Sequence, residues 1–274
     1  MVYLPLFCLD YLVVMFMKKV LITGARSGII SKVILRIIND YELYLTVHTD
    51  SELMVMKNKY KDYKNVKCFK LDVTNTADYK ILDDLDIDIY IANAALAESG
   101  AICEIPLDKI RNTFEVNVFS NVNLLQRVLK KMIKKGYGKV IIMGSLAGRI
   151  PMPFLGAYSG SKASLIKMVE ALRFELMLLN TDIKVSLILP GLYRTGFNKL
   201  AMDKKYDFMD VNSFFEYQLD FIRGYDRFVL FFEQRALTSI VNKICQAIYS
   251  DNPKFIYSAP FSQNMFAKII SLFW

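Results

Sequence analysis

"LITGARSGIISKV", residues 21–33, decides how this 274-residue chain is read. Val20, Leu21 and Ile22 form an apolar run, Thr23-Gly24 breaks it, and after three more residues Gly28 opens a helical pattern. A strand-to-helix turn of this kind points free backbone amides at an anion such as pyrophosphate, and needs glycine where φ is positive or the phosphate comes close. Gly24 and Gly28 meet both needs. A third glycine normally follows two residues on, for close packing of helix on strand. Ile30 stands there instead. It is expected to push the helix away or to face a small partner, adding bulk near a dinucleotide. Alone the turn is a weak signal, because many strand-turn-helix units hold two glycines.

Outward from this turn, short apolar runs alternate with longer helical patterns from Met17 onward, the mark of parallel βαβ units. Strands are predicted at 19–23, 44–48, 66–71, 87–92, 139–144, 184–189 and 254–257. Helices are predicted at 29–39, 51–61, near 77–83, over 107–135 with an internal break or bend, and at 157–179. The strands are nearly continuous apolar runs, as expected when both sheet faces are buried. Residues 17–274 read as one domain. The stretch 193–232, rich in Phe, Tyr, Met and Asp, reads as a helical excursion over the sheet: either a substrate lid or a packed surface insertion.

The opening apolar stretch, residues 1–16, is interrupted by Pro5 and Asp10 and is too short for a membrane span. Three readings stand: translation starting at Met17, a peripheral membrane anchor, or an ordered packing arm. Four scattered cysteines and a single histidine support neither a disulfide framework nor a metal site, and fit a reducing cytoplasm. The net charge of +8 includes Lys130, Lys131, Lys134 and Lys135, read as a solvated face near a helix C-terminus. No basic block is interleaved with aromatics, so no nucleic-acid partner is expected. A basic surface also suits anionic lipid or a phosphorylated cofactor.

"YSGSK", Tyr158 to Lys162, puts a phenol and an ammonium on one helix face. At about 4 Å and an effective dielectric of about 20, their attraction is roughly 4 kcal/mol, enough to lower the phenol pKa by about 3 before desolvation is counted. Such a pair also occurs as a snorkelling surface pair. Thirteen residues earlier, Ser145 follows Gly144 at a strand end. Its hydroxyl is placed either to hold a carbonyl oxygen or to satisfy strand-end backbone groups.

Together, Thr23-Gly24 with Gly28-Ile29, Leu71-Asp72-Val73, Asn93-Ala94-Ala95, Asn117, Ser145, Tyr158 with Lys162, and Pro190-Gly191 resemble the short-chain dehydrogenases/reductases in order and spacing. The resemblance is close from Met17 to about Thr195. It implies an α/β fold: a doubly wound, mostly parallel Rossmann-type sheet of about seven strands, with helices on both faces. It also implies a catalytic tetrad of Asn117, Ser145, Tyr158 and Lys162. Tyr158 would be the acid in reduction and the base in oxidation, with its pKa lowered by Lys162, which also binds the nicotinamide ribose. Ser145 would hold the substrate oxygen, and Asn117 would anchor a water leading from Lys162 to solvent.

For the cofactor, the resemblance assigns Gly24, Arg26, Ser27, Gly28 and Ile29 to the pyrophosphate turn. It gives Asp72 and Val73 to the adenine, Asn93 and Ala94 to the adenosine side, and Pro190, Gly191 and Thr195 to the nicotinamide. Ala95 and Leu96 replace the usual Ala-Gly and, like Ile30, put cofactor affinity in question. The end of the second strand carries His48 and Thr49 with no acid before Asp50, and Arg26 adds a cation, so NADP(H) is expected over NAD(H). The expected reaction is reduction of an apolar ketone or aldehyde, or oxidation of a secondary alcohol. The alternatives are a non-catalytic dinucleotide sensor or scaffold on the same fold, and an epimerase or dehydratase. A homodimer or homotetramer is implied, through the helices holding Asn117 and Tyr158. At the C-terminus, Phe266, Ile269, Ile270 and Phe273 share a helical face, ending at Trp274; the segment reads as core-docking, an oligomer contact or a membrane-surface helix.

Overall fold

The computed structural model describes residues 17–209 and 212–272. The expectations for residues 1–16 and for Phe273 and Trp274 lie outside the described residues. The first half runs β1 (Lys19–Ile22), α1 (Gly28–Ile37), β2 (Glu42–Val47), α2 (Asp50–Lys59), β3 (Val66–Lys70), a 3-10 segment (Thr76–Leu82) and β4 (Ile89–Ala92). Next come α3 (Leu107–Phe114), a π turn (Glu115–Phe119), α4 (Ser120–Lys135), β5 (Tyr137–Met143) and α5 (Gly156–Met177). The chain then continues through β6 (Asp182–Pro190), α6 (Phe197–Asp203), α7 (Leu219–Phe231), α8 (Thr238–Tyr249), β7 (Ile256–Ala259) and α9 (Phe261–Ile270).

The seven strands form one sheet in the order β3-β2-β1-β4-β5-β6-β7, and all six pairings are parallel. Alternate side chains of β1 enter two cores. Val20 and Ile22 pack with Ile34 of α1 and Ile244 of α8, while Leu21 packs with Leu124 of α4 and Leu165 of α5 on the opposite face. This two-sided burial is what made the strands apolar throughout. Because β2 and β4 flank β1, the strand order reverses there, and the carboxyl ends of β1 and β4 open the crevice where such sheets bind ligands.

The break expected in 107–135 is the π turn carrying Asn117. Gly136, at φ 83°, ends α4 with its N–H bonded to Met132 O and Ile133 O. Two of the four lysines near that end are not simply solvated. Lys131 Nζ donates to the carbonyls of Leu82, Asp83 and Leu85, and Lys135 Nζ pairs with Asp86 and Asp88. They tie α4 to the segment before β4. Lys130 and Lys134 remain exposed.

The excursion after β6 has small cores of its own. Ala101, Met209 and Ile222 form one, with Phe154 and Phe215 packed edge-to-face at 5.4 Å beside it. Leu155, Met202 and Val229 form another. Between them Lys205, only 1% exposed, pairs with buried Asp226 of α7 at 2.7 Å, and Tyr206 Oη donates to the same carboxylate. Among the described residues no helix is long and apolar enough to cross a membrane.

Candidate active site

A cavity of about 1210 Å³ runs along the carboxyl ends of the strands and under the excursion. At its centre is the turn after β1. Gly24 adopts φ +62°, and a Cβ there would stand 3.0 Å from Ala94 Cα; one on Gly28 would stand 2.9 Å from Thr195 Cβ. Both glycines are therefore required by close approach. Ser27 caps α1, its Oγ accepting from Ile30 N at 3.3 Å, and the first turn holds no acid. Arg26, Ile29, Asn93 and Ala94 share the wall. An uncharged helix N-terminus beneath glycines that a Cβ would crowd is a donor set suited to a dinucleotide pyrophosphate.

Ile30 does not crowd this pocket. It is 0% exposed, lies among Val20, Val33 and Ile34 in the core, and does not border the cavity. One residue beyond Ile29 on the helix, its side chain points at the sheet. The bulk expected at the dinucleotide is core packing instead. Ala95 and Leu96 do border the cavity.

The adenosine end differs from expectation in one residue and adds another. His48, Asp72 and Val73 line it, with His48 Nε2 3.3 Å from Asp72 Oδ2. Burial pushes the Asp72 pKa up, but bonds from Thr74 and the His48 partner hold it below the ordinary carboxylate value. Thr49 is not in the wall, because its Oγ1 is spent capping α2 through Glu52 N at 3.2 Å. Glu52 is in the wall. It accepts from His48 N at 3.1 Å and pairs with Arg26 at 3.0 Å, so the cation expected to be free for a phosphate already has a partner. The Thr49-Asp50-Ser51-Glu52 capping pattern is the sequence signal that sends this carboxylate back to the helix start.

Ser145, Tyr158 and Lys162 meet on the cavity floor. Lys162, buried inside α5, donates to Met143 O at 2.9 Å, and its Nζ lies 5.9 Å from the Tyr158 ring centroid. The expected lowering of the phenol pKa is absent from this geometry. Burial raises Tyr158 to about 12 against the opposing hydrogen bond with Ser145, and burial lowers Lys162 to about 8. Desolvation, left out of the charge-pair argument, sets the direction here, and the Lys162 cation does not offset it.

Asn117 is fully buried and does not reach the cavity. Its Oδ1 accepts from Leu96 N at 2.7 Å, while Nδ2 donates to Leu96 O at 2.7 Å and to Ser161 Oγ at 2.9 Å. The side chain braces the loop after β4 against α5, one residue from Lys162. Pro190, Gly191 and Thr195 line the far wall as assigned. Gln263 of α9, not anticipated, joins them, its Oε1 accepting from Leu192 N at 2.7 Å. A polar residue among C-terminal aromatics gave no local sign of that role.

Beyond Tyr158 the cavity becomes apolar, walled by Met152, Leu155, Met202, Tyr225 and Val229. Phe197 closes over the tyrosine, the two ring centroids 6.0 Å apart.

Comparison with known proteins agrees with this arrangement. The family model described as short chain dehydrogenase matches residues 18–205. A probable short-chain type dehydrogenase/reductase of Helicobacter pylori is 31% identical over 189 residues, 66% of this chain and 67% of that protein. An NADPH-dependent 3-dehydrocapnine reductase of Ornithobacterium rhinotracheale is 32% identical over 196 residues, covering 65% of this chain and 66% of its own length. Among solved structures, a short-chain dehydrogenase/reductase from Burkholderia phymatum in complex with NAD superposes with a TM-score of 0.76 at 20% identity, covering 92% of both chains, which speaks to fold. With the family model spanning six of the seven strands, the glycine turn and the Ser-Tyr-Lys floor, the chain belongs to the short-chain dehydrogenase/reductase family of oxidoreductases.

Proposed function

We propose that the protein is an NADP(H)-dependent oxidoreductase that reduces an apolar ketone or aldehyde, or oxidises the corresponding secondary alcohol. The observation that carries this reading is the pair of hydroxyls, Ser145 and Tyr158, at the floor of a cavity whose remaining walls on that side are aliphatic and aromatic. When bound, a nicotinamide dinucleotide supplies or accepts the hydride. Gly24, Ser27, Gly28 and Ile29 would hold its pyrophosphate, with Asp72, Val73, Asn93 and Ala94 on the adenosine side and Pro190, Gly191 and Thr195 on the nicotinamide side.

Tyr158, raised to about 12, is protonated at neutral pH and so is set to donate its phenolic proton to a carbonyl oxygen, while the Ser145 hydroxyl donates a hydrogen bond to the same oxygen. Lys162 supplies the adjacent cation below about pH 8. Asn117 acts as a positioning residue through Leu96 and Ser161. Phe197 and the walls from the excursion exclude water, in keeping with a lid.

The preference for NADP(H) is supported by His48, which lines the wall at the end of β2 where an acid would repel a 2′-phosphate, and is opposed by the Glu52 carboxylate in the same wall. It is also supported by Arg26, whose pair with Glu52 must open to reach that phosphate. The relative described as NADPH-dependent points the same way. The sensor or scaffold alternative rested on Ile30 and Ala95, and Ile30 lies outside the cavity. A homodimer or homotetramer through α4 and α5 is part of the proposal, with exposed Phe119 just before α4, and exposed Met168 and Phe174 on α5, as its support.

The test is Tyr158→Phe. NADPH binding, followed by nicotinamide fluorescence, is expected to persist, and turnover of apolar carbonyls to fall by about 10²–10⁴-fold. Unchanged turnover would refute Tyr158 as the acid. Absence of NADPH and NADH binding by the unmodified protein would favour the scaffold alternative.

A further inference from the structure

The mouth of the cavity is built from residues the chemistry does not use. At the carboxyl end of α7, Phe228 is 62% and Phe231 82% exposed, and on α9 Phe266 is 60% exposed. The Phe232 ring lies 5.0 Å from Phe228 and 5.7 Å from Phe231, and Gln263 Nε2 donates to Phe232 O at 2.9 Å, fixing the start of α9 beside the end of α7. Phe228, Phe232 and Phe266 also line the cavity. The same rings therefore face solvent and lumen. Exposed Phe221 extends the patch along α7 and Ile269 extends it along α9. A contiguous apolar surface of this kind marks a contact site.

Charge decides between occupants. Arg223 and Arg227, four residues apart, flank the aromatic stripe of α7, with Asp220 its one exposed acid, 3.6 Å from Arg223. Lys268 is the only charged residue of α9. The rim is thus net positive on a chain of net charge +8. A second copy seated face to face would set these arginines against their own equivalents and would cover the opening. An anionic bilayer complements the rim and leaves the opening facing the phase in which apolar molecules dissolve.

We propose that the α7–α9 patch seats the protein on an anionic lipid surface, and that its substrate is a membrane-resident lipid carbonyl or alcohol entering between Phe228, Phe232 and Phe266. The substrate half rests on the oxidoreductase reading above; the docking half does not.

The test uses the full chain and vesicles of phosphatidylcholine alone or equimolar with phosphatidylglycerol. Phe231→Ser combined with Ile269→Ser removes exposed patch side chains that do not line the cavity. Met54→Ser on α2 is the control for an exposed apolar side chain away from the patch, the cavity and the helices of the proposed oligomer contact. The unmodified protein and the control are expected to sediment with the anionic vesicles, and the double variant to bind at least about tenfold more weakly. All three are expected to reduce a short, water-soluble ketone alike. Only the unmodified protein and the control should favour a long-chain ketone carried in the anionic vesicles.

Sedimentation of the double variant equal to that of the unmodified protein, or none by any form, would overturn the docking. Self-association lost in the double variant without vesicle binding would assign the patch to a second copy. Vesicle binding with the short ketone reduced but no advantage for the vesicle-borne ketone would overturn the substrate half alone. Vesicle binding with neither ketone reduced would instead be a failure of the oxidoreductase reading.

Discussion

Replacing Lys205 by Met isolates what holds the excursion over the cavity. Lys205 Nζ lies 2.9 Å from Asp226 Oδ1 and 2.7 Å from Oδ2, and both side chains are almost wholly buried. After Lys205→Met, the Asp226 carboxylate keeps the Tyr206 hydroxyl, at 2.7 Å, as its hydrogen-bond partner among the described residues. Breaking a buried pair by removing one partner costs about 3–5 kcal/mol, because the other charge is left without compensation. Set against a total stability of about 5–15 kcal/mol, that is a large share. At a urea slope of about 3 kcal/mol/M it corresponds to a fall of about 1–2 M in the urea midpoint.

Lys205→Met with Asp226→Leu removes both charges, and apolar replacement of a whole buried pair is near neutral, so the double variant is expected within about 1 kcal/mol of the original. Urea titrations followed by circular dichroism provide the assay. Hydrogen exchange over residues 197–231 reports whether the loss is local to the excursion. Because Met202, Tyr225 and Val229 wall the cavity, KM for an apolar carbonyl should rise in the single variant. A single variant with an unchanged midpoint and unchanged exchange, or a double variant no better than the single, would refute the assignment.

Three further outcomes follow from the site. Lys162 has its pKa lowered from 10.5 to about 8 by burial, so between pH 8 and 10 the unfolded chain binds more protons than the folded one at this residue and stability rises with pH. Its share of the rise is about 2 kcal/mol over that window, and urea titrations of Lys162→Met at pH 8 and 10 should lack it. Glu52→Gln frees Arg26 and removes a negative charge from the adenosine wall; for an exposed pair worth about 1 kcal/mol, NADPH should bind about fivefold tighter relative to NADH by fluorescence titration. Ile30→Ala should cost about 2–5 kcal/mol in urea unfolding yet leave the NADPH dissociation constant unchanged, which an Ile30 side chain in the dinucleotide site would not allow.

Much of the sheet was legible because parallel strands buried on both faces are apolar throughout. The misses lie where a polar residue is buried through a distant partner. β2 begins at Glu42, whose carboxylate meets Lys67 of β3 at 2.8 Å. β5 begins at Tyr137 and includes Lys139, whose Nζ bonds Ile248 O and Ser250 O at the end of α8. Glu42 does not read as strand without knowledge of that neighbour, whereas Lys139 stands inside the expected 139–144 and the part of β5 beyond that expectation is Tyr137 and Gly138. α8 itself lies outside the expected helices although Ile240, Val241, Ile244 and Ile248 carry the helical period. At the site, groups fixed by local chain direction were legible: Gly24, Gly28, Ser145, Tyr158 and Lys162. Ile30 was misplaced because a one-residue step along a helix turns the side chain by 100°, from lumen to core. Gln263 reaches Leu192 across 71 residues, a contact no local pattern encodes.

The Asn117 side chain has a consequence for substitution that its burial alone does not suggest. Its amide offers one acceptor and one donor to the peptide N–H and C=O of Leu96, the same pairing that a neighbouring strand residue would offer. The amide thus stands in for a missing strand just past the end of β4, where the chain has left the sheet. Aspartate, though of the same shape, would turn an oxygen toward both Leu96 O and Ser161 Oγ in place of the donor. Only a side chain with both polarities can keep that loop in register with the helix beneath it, so the nearest isostere is also among the least tolerable replacements.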